Sequence, residues 1–207
     1  MIDVAICVPV RHTVDTHFAY CLSMLVSRLS SNNVSHKLFF QIGSILPDQR
    51  TQLVNTAIAS ANPTHILWLD SDMTFPPTVY EELLNKNENI VACTYSTRTA
   101  PYKSVAFVDL DNTDKRLDEK SGSHYVAAVG MGIMLVSTDV FKKIPAPWFI
   151  FEWSNEFKSF TGEDIYFCKL ANEYDYKILV DLDISQKCGH VASIIKMIGD
   201  VDEKISI

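Results

Sequence analysis

The chain has 207 residues, of which 47% are hydrophobic and 21% are charged, and its formal net charge is −7. This length and composition fit a single globular domain over residues 1–207, large enough to bury a full core. No run of about 18 apolar residues is present, so no membrane span is expected. No basic block interrupts the negative charge, which argues against nucleic acid as a partner.

The five cysteines are scattered and form no Cys-x-x-Cys pair. This usage is typical of proteins kept in a reducing compartment. The first residues form an apolar strand pattern without the basic region of a signal peptide. We therefore expect a cytoplasmic location.

The first 95 residues alternate between strand and helix patterns, which we recognise by apolar runs and by apolar residues three or four positions apart. Such alternation predicts an α/β fold with a mixed, mostly parallel central sheet flanked by helices. The predicted elements are strand 2–10, a helix through Phe18 and Leu29, strand 37–42, a helix from Pro47 that stops before Asn62, strand 65–70 and a helix from about Pro76 to Asn85.

The pattern changes after residue 95. The charged stretch 111–123 predicts a hairpin tip or loop. Gly130-Met131-Gly132 lies inside a strand pattern and indicates a bulge or a close approach of a ligand. The predicted elements that follow the first half are strands 89–95, 103–110, 125–136 and 177–182, and helices 138–143 and 163–174.

Asp70-Ser71-Asp72 follows the buried strand pattern 65–70. Two carboxylates this close repel each other unless a cation lies between them. Hard oxygen ligands suit Mg²⁺ or Mn²⁺, and these ions commonly bind substrate phosphates as well. The pair therefore predicts a metal site for a phosphorylated ligand, with a helix cap near Pro76 as the structural alternative.

The spacing alone is not specific, because it recurs in three other places. These are the pairs Asp109 and Asp111, Asp181 and Asp183, and Asp200 and Asp202. The position at a strand end favours Asp70 and Asp72, since ligands of wound α/β sheets bind beyond the carboxyl ends of the strands.

Further polar groups are expected at the same strand ends. Arg11 follows the first strand, and Arg50 lies in the first turns of the second helix, near the end of strand 37–42. Both arginines are candidates for phosphate or sugar contacts. The predicted ligand-binding residues are Pro9, Val10, Arg11, Arg50, Asp70 and Ser71.

Five short motifs occur in the order found in glycosyltransferases of the GT-A fold, and the chain resembles that family over nearly its whole length. The resemblance implies one Rossmann-like GT-A domain, in which residues 1–95 form the nucleotide-binding half and residues 96–207 supply the acceptor and metal groups. It also implies a metal-dependent transfer of a sugar, most simply a hexose from a uridine diphosphate (UDP) sugar, to a hydroxyl of a glycan or glycoprotein. The motifs are Asp70-Ser71-Asp72, Gly130-Met131-Gly132, Pro147-Trp148-Phe149, Gly162-Glu163-Asp164 and Gly189-His190.

The resemblance also implies donor-side roles. Asp72 would bind Mn²⁺ or Mg²⁺, and Asp70 would contact the ribose, the ion or a metal-bound water. His190 would complete the metal shell, and its imidazole would favour manganese. The backbone of Pro9 and Val10 would line the nucleotide.

On the acceptor side, Asp164 matches the general base of inverting members of the family. Glu163 would be structural or bind a sugar hydroxyl, and a helix cap is the plain alternative for both carboxylates. Trp148 and Phe149 would line the acceptor pocket, although core packing is the default role of such residues.

The small size is also similar to that of the amino-terminal glycosyltransferase domain of a chlorella-virus protein that glycosylates a major capsid protein. That similarity implies further domains in a larger polypeptide and a location in the host cytoplasm.

Three other functions compete with sugar transfer. Asp70-Ser71-Asp72-Met73-Thr74 also fits the start of haloacid-dehalogenase-like phosphatases, with Asp70 as nucleophile, but that motif usually lies on the first strand. A non-catalytic nucleotide-sugar-binding module would use the same two carboxylates. A nucleotidyltransferase would carry a glycine- and arginine-rich loop near its amino terminus, which this sequence lacks.

Overall fold

The computed structural model describes residues 1–98, 100–110, 115–155 and 158–192. Its helices are α1 (Thr16–Ser31), α2 (Leu46–Ala61), α3 (Val79–Leu84), α4 (Thr138–Lys143), α5 (Glu163–Glu173) and α6 (Leu182–Ser185). Its strands are β1 (Ile2–Val10), β2 (His36–Ile42), β3 (Pro63–Leu69), β4 (Met73–Thr74), β5 (Ile90–Ala92), β6 (Ala106–Phe107), β7 (Ser123–Val126), β8 (Ala128–Val129), β9 (Ile133–Ser137), β10 (Glu152–Ser154), β11 (Ser159–Thr161), β12 (Ile178–Asp181) and β13 (Gly189–His190). Within these ranges, no helix combines the length and apolarity that crossing a membrane requires.

Seven strands form the central sheet, in the order β2-β1-β3-β9-β5-β12-β7. β1 pairs in parallel with β2 and β3, and β5 pairs in parallel with β12. β9 runs antiparallel to both β3 and β5, so five of the seven strands point in one direction. The predicted mixed, mostly parallel α/β sheet is confirmed.

The core lies on both faces of this sheet. Alternate residues of β1 enter two clusters of buried side chains, which explains its uninterrupted apolar sequence. Ala5 and Cys7 pack with side chains of α2, α4 and α5 on one face. Val4, Ile6 and Val8 pack with those of α1, α3 and α6 on the other.

The strand predicted over 125–136 is divided into β7, β8 and β9, with Gly130 and Gly132 in the break before β9. The Tyr95 hydroxyl fills the space beside these glycines and accepts a hydrogen bond from Gly132 N (3.1 Å). A Cβ atom on Gly132 would lie 2.7 Å from that hydroxyl oxygen. The glycines are needed because a tyrosine, rather than a ligand, approaches the backbone there. The strand predicted over 103–110 is likewise reduced to Ala106–Phe107, which pairs with β8.

Trp148 and Phe149 lie in the core, not on the surface where an acceptor sugar would stack. Phe149 is 2% exposed, and its ring centroid lies 5.7 Å from that of Trp68 and 5.4 Å from that of Phe167. Trp148 packs edge-on against Phe141, and its Nε1 donates to the Ile144 carbonyl (2.7 Å). These contacts give both residues a packing role.

We expect Phe149→Ala to lower the free energy of unfolding by about 3–5 kcal/mol, because it removes a buried ring and leaves a cavity. Phe151→Ala is the matched control. Phe151 is 49% exposed, so we expect a loss below about 1 kcal/mol. Urea unfolding followed by circular dichroism measures both values, and equal losses would contradict the buried position of Phe149.

Candidate active site

A cavity of about 590 Å³ opens at the carboxyl ends of β1, β2 and β3, which are neighbours in the sheet. The predicted convergence of polar residues at these strand ends is therefore present. The segment that leads into α1 closes one side. The cavity is lined by Pro9, Arg11, Thr13, Val14, Asp15, Thr16, Gly43, Ser44, Leu46, Gln49, Asp70, Ser71, Asp72 and Arg98.

The Asp70-Ser71-Asp72 turn is held by backbone hydrogen bonds from three different parts of the chain. Asp70 N donates to the Gly132 carbonyl (2.9 Å), and the Ser71 carbonyl accepts from Asp15 N (3.0 Å). The Asp72 carbonyl accepts from Val191 N (2.8 Å). The turn is therefore fixed before any side chain is considered, which suits a binding site.

Neither aspartate of this turn acts as a helix cap. α3 begins after Thr78, and no side-chain hydrogen bond caps it. α1 is capped by Asp15, whose carboxylate accepts from His17 N (2.7 Å). The alternative that Asp70 or Asp72 caps a helix is therefore not observed.

Arg50 joins the turn to the start of α5. Its Nη2 donates to Asp70 Oδ1 and its Nε donates to Glu163 Oε1, both at 3.0 Å. The side chain is 1% exposed, and its guanidinium carbon lies 5.4 Å from the centroid of the Trp68 ring. Arg50 therefore lies beneath the cavity and positions the carboxylates of Asp70 and Glu163. The sequence had predicted that it would contact the ligand directly.

The charges around Arg50 are unbalanced, because Asp70, Glu163 and Asp164 all act on one guanidinium. Burial alone would lower the pKa of Arg50, but the charges of Asp70 and Glu163 outweigh it and raise that pKa. Burial raises the pKa of Asp70, against the opposing charge of Arg50. Burial, reinforced by the charge of Glu163, also raises the pKa of Asp164 to about 6. The surplus of negative charge favours a cation near this edge.

Asp72 lines the cavity and lies beside His190, with its Oδ2 3.5 Å from His190 Nε2. β13 pairs with β4 and so brings His190 opposite Met73. Arg98 donates to both groups, to Asp72 Oδ2 and, at 2.9 Å, to His190 Nε2. His190 Nδ1 lies 3.1 Å from the Ser96 carbonyl, so Nδ1 carries a proton. The Nε2 lone pair of the neutral ring accepts from Arg98, whereas the protonated ring donates from Nε2 to Asp72.

The ionisation of the pair follows from these contacts. Burial would raise the pKa of Asp72, but the hydrogen bond with His190 and the charge of Arg98 outweigh it and lower that pKa. The contact with Asp72 raises the pKa of His190. At neutral pH Asp72 is a carboxylate, the form that binds cations.

The donor set fits a divalent ion that shares its shell with a ligand. Within the described part of the chain, no three His, Cys, Asp or Glu side chains converge closely enough to hold an ion by themselves. Asp72 and His190 supply two donors, and magnesium-like ions are usually held by one or two carboxylates plus substrate phosphates. The Ser96 carbonyl accepts from Nδ1 and so fixes the orientation of the imidazole, as backbone carbonyls commonly do for metal-binding histidines.

The competing aspartate pairs have other roles or lie outside the described residues. Asp181 is fully buried and caps α6 through Ile184 N (2.8 Å), while its other oxygen contacts Lys86 and Ser123. Asp109 forms an ion pair with Lys115 (3.2 Å). Asp111, Asp200 and Asp202 are not among the residues that the structure describes.

Several site residues were not found from the sequence. Gln49 donates to the carbonyls of Val10 (2.8 Å) and Gln41 (2.6 Å), so it ties α2 to the ends of β1 and β2. Of the two residues whose backbone was predicted to line the nucleotide, Pro9 lines the cavity, whereas Val10 has a buried side chain and is not among the lining residues. Arg98 is also a site residue that the sequence did not identify. Its position a few residues beyond the predicted strand 89–95 was the one feature that could have indicated a place near the strand ends.

Neither a protein-family model nor a curated protein sequence matches the chain. GalNAc-T7, solved with UDP, GalNAc and Mn²⁺, aligns with a TM-score of 0.60 and 10% identity, over 94% of this chain and 44% of its own. The Drosophila β1,4-galactosyltransferase 7, a mutant solved with manganese, UDP-Gal and xylobiose, aligns with a TM-score of 0.55 and 16% identity, over 93% of this chain and 72% of its own. A197 from STIV aligns with a TM-score of 0.57 and 14% identity, over 95% of this chain and 100% of its own. The chain therefore has the GT-A fold that its motifs predicted.

A glycosyltransferase involved in the glycosylation of the major capsid of PBCV-1 also aligns, with a TM-score of 0.46 and 14% identity, over 93% of this chain and 94% of its own.

We expect Arg50→Met to lower the free energy of unfolding by about 3–5 kcal/mol at neutral pH, because it leaves the buried carboxylate of Glu163 and the partly exposed carboxylate of Asp70 without their cation. Arg28→Met is the control, since the ion pair of Arg28 with Glu81 is largely exposed and should contribute at most about 1 kcal/mol. Urea unfolding measures both. Equal small losses would show that Arg50 does not hold the site together.

Proposed function

We propose that the protein is a metal-dependent glycosyltransferase that moves a hexose from a UDP sugar to a hydroxyl of a glycan or glycoprotein. The observation that carries this proposal is the shared location of two different groups. Asp72 and His190 lie 3.5 Å apart, where they would supply two donors to a cation in place of their contacts with Arg98, and Arg50 links the same turn to the α5 start that carries Asp164. The solved structures with Mn²⁺ and UDP or UDP-Gal support it by analogy of fold.

The cavity has the groups that a nucleoside diphosphate needs. Arg11 and Ser71 line it, and Arg98 reaches its mouth, so a diphosphate can receive guanidinium and hydroxyl donors. A divalent ion bound by Asp72 and His190 would add positive charge where the leaving diphosphate develops negative charge. In this assignment Asp70 stays on Arg50 and shapes the turn.

Asp164 is the proposed general base. Its carboxylate takes the proton of the acceptor hydroxyl as the hydroxyl oxygen bonds to the anomeric carbon and the sugar–phosphate bond breaks. A pKa of about 6 leaves Asp164 ionised at neutral pH while keeping it a stronger base than an ordinary aspartate. Glu163, held by Arg50, keeps the start of α5 in place.

The phosphatase alternative is disfavoured by the surroundings of Asp70. The Asp-x-Asp motif of those enzymes usually lies on the first strand, whereas Asp70 follows β3, the third strand along the chain. Its Oδ1 accepts from the buried Arg50, so only Oδ2 could attack phosphorus. A non-catalytic binding module differs from the proposal in one measurable way, since it would bind the donor without releasing nucleoside diphosphate.

We expect kcat/KM for UDP release from UDP-hexoses to rise with pH, with a midpoint near 6, and to level off above about pH 7. The sign follows from the raised pKa, because Asp164 is protonated below pH 6 and cannot then accept a proton. Asp164→Asn should lower the rate by about 10²–10⁴-fold while retaining UDP binding. A rate that is flat from pH 5 to 8, or an active Asp164→Asn variant, would contradict this role.

We expect Asp72→Ala to abolish the rise in melting temperature that Mn²⁺ and UDP together produce in the wild-type chain. The substitution removes the carboxylate donor of the proposed metal site. Asp139→Ala is the control, because Asp139 is an exposed carboxylate paired with Lys142 far along the chain. Differential scanning fluorimetry with a panel of nucleotides gives the result. If Asp72→Ala keeps the response and Asp181→Ala loses it, the wrong aspartate pair has been chosen.

A further inference from the structure

A positive charge that belongs to the chain itself lies against the two proposed metal donors. Arg98 Nη2 donates to Asp72 Oδ2, and Arg98 Nε donates to His190 Nε2 at 2.9 Å. These two acceptor atoms lie 3.5 Å apart and are the ones that would bind a divalent ion. One guanidinium therefore contacts both donors at once.

The contact with Arg98 and a bond to a metal ion exclude each other at His190. Nδ1 of the neutral ring carries the proton, so Nε2 has one lone pair, which either accepts from an N–H group or binds a metal ion. Divalent ions also bind their nitrogen and oxygen ligands at about 2.0–2.2 Å, which would place two positive charges side by side if the guanidinium stayed. Arg98 therefore has to leave His190 before an ion binds there.

Arg98 is the member of this cluster that is free to move. Its side chain is 60% exposed, on the segment that follows β5. The His190 ring is held in place, since Nδ1 donates to the Ser96 carbonyl (3.1 Å) and the ring packs edge-on against Tyr95, with centroids 5.2 Å apart. The turn that carries Asp72 is fixed by its backbone hydrogen bonds. A rotation of the Arg98 side chain therefore uncovers both donors without moving either of them.

A diphosphate in the cavity would give the displaced guanidinium another partner. Arg98 lines the cavity together with Ser71, and arginine forms strong charge-assisted hydrogen bonds with phosphate oxygens. A divalent ion and a nucleoside diphosphate therefore favour the same position of Arg98, away from His190. Two ligands that favour the same state of a two-state element strengthen each other's binding.

We propose that Arg98 is a resident counter-cation, which covers Asp72 and His190 until a divalent ion displaces it and which thereby couples the binding of that ion to the binding of a nucleoside diphosphate. The inference rests on the proposed function and adds to it a contact that opposes metal binding. If the guanidinium covers the pair about 70–90% of the time, the apparent affinity for the ion alone is reduced about three- to tenfold.

Arg98→Gln tests the resident counter-cation through the binding of Mn²⁺ alone. The variant has no guanidinium to displace, so we expect it to bind Mn²⁺ about three- to tenfold more tightly than the wild-type chain in the absence of nucleotide. The electron paramagnetic resonance signal of free Mn²⁺ measures both affinities without any turnover. Arg11→Gln is the charge-matched control. Arg11 lines the same cavity, but Arg98 is the arginine that bonds Asp72 and His190, so Arg11→Gln should leave the Mn²⁺ affinity nearly unchanged.

Adding Asp72→Ala to Arg98→Gln shows where the gain in affinity arises. We expect the double variant to lose the gain, because the ion then lacks its carboxylate donor. The resident counter-cation is wrong if Arg98→Gln binds Mn²⁺ no more tightly than the wild type, or if Arg11→Gln gains as much. It is also wrong if the double variant keeps the gain, since the ion would then bind elsewhere.

Calorimetry of UDP binding separates this proposal from the one on which it rests. Mn²⁺ should strengthen UDP binding by a smaller factor in Arg98→Gln than in the wild type. The factor lost should match the factor gained for Mn²⁺ alone, because both measure the displacement of the same guanidinium. An undiminished factor would overturn the coupling through Arg98 alone. If Mn²⁺ has no effect on UDP binding in either chain, the transferase assignment itself is overturned.

Discussion

The buried guanidinium of Arg50 is the interaction on which the candidate site depends. Its guanidinium contacts both the Asp70 turn and the start of α5, with a 3.0 Å hydrogen bond on each side. These segments are far apart in sequence, and the carboxylate of Glu163, which is only 6% exposed, would be costly to bury without a cation. One side chain therefore holds the Asp70 turn against the start of the helix that carries Asp164.

The same interaction explains how charge is divided across the site. Arg50 compensates only part of the negative charge of Asp70, Glu163 and Asp164, and burial keeps the pKa of Asp164 near 6. Asp72, by contrast, is turned away from Arg50 toward His190 and Arg98, which lower its pKa. Asp164 at the start of α5 is thus adjusted for accepting a proton, and Asp72 in the turn after β3 for attracting a cation.

Much of the fold could be predicted from the sequence because its signals are local. β1 and β3 are apolar runs of full strand length, and their parallel pairing brings their polar ends together, which identified Asp70-Ser71-Asp72 among four similar pairs. The division of the strand predicted over 125–136 could not be found this way, because it depends on the hydroxyl of Tyr95, more than 30 residues earlier.

The contacts of the site residues also depend on residues distant in sequence, so the sequence alone could not predict them. Arg50 lies on the helix face of Leu53, Val54 and Ala57, and this spacing indicates burial, but a buried arginine has no local sign of which carboxylates will meet it. Trp148 and Trp153 are equally aromatic in sequence, yet one is buried and one is exposed. Only the tertiary packing distinguishes a core ring from a surface ring.

The central claim is that the cavity at the carboxyl ends of β1, β2 and β3 binds a divalent ion and a nucleoside diphosphate together. Isothermal titration calorimetry of UDP into the wild-type chain tests it most directly. The account predicts that UDP binds at least about tenfold more tightly with Mn²⁺ than with EDTA, a difference of about 1.4 kcal/mol or more. Equal affinity under the two conditions would contradict it.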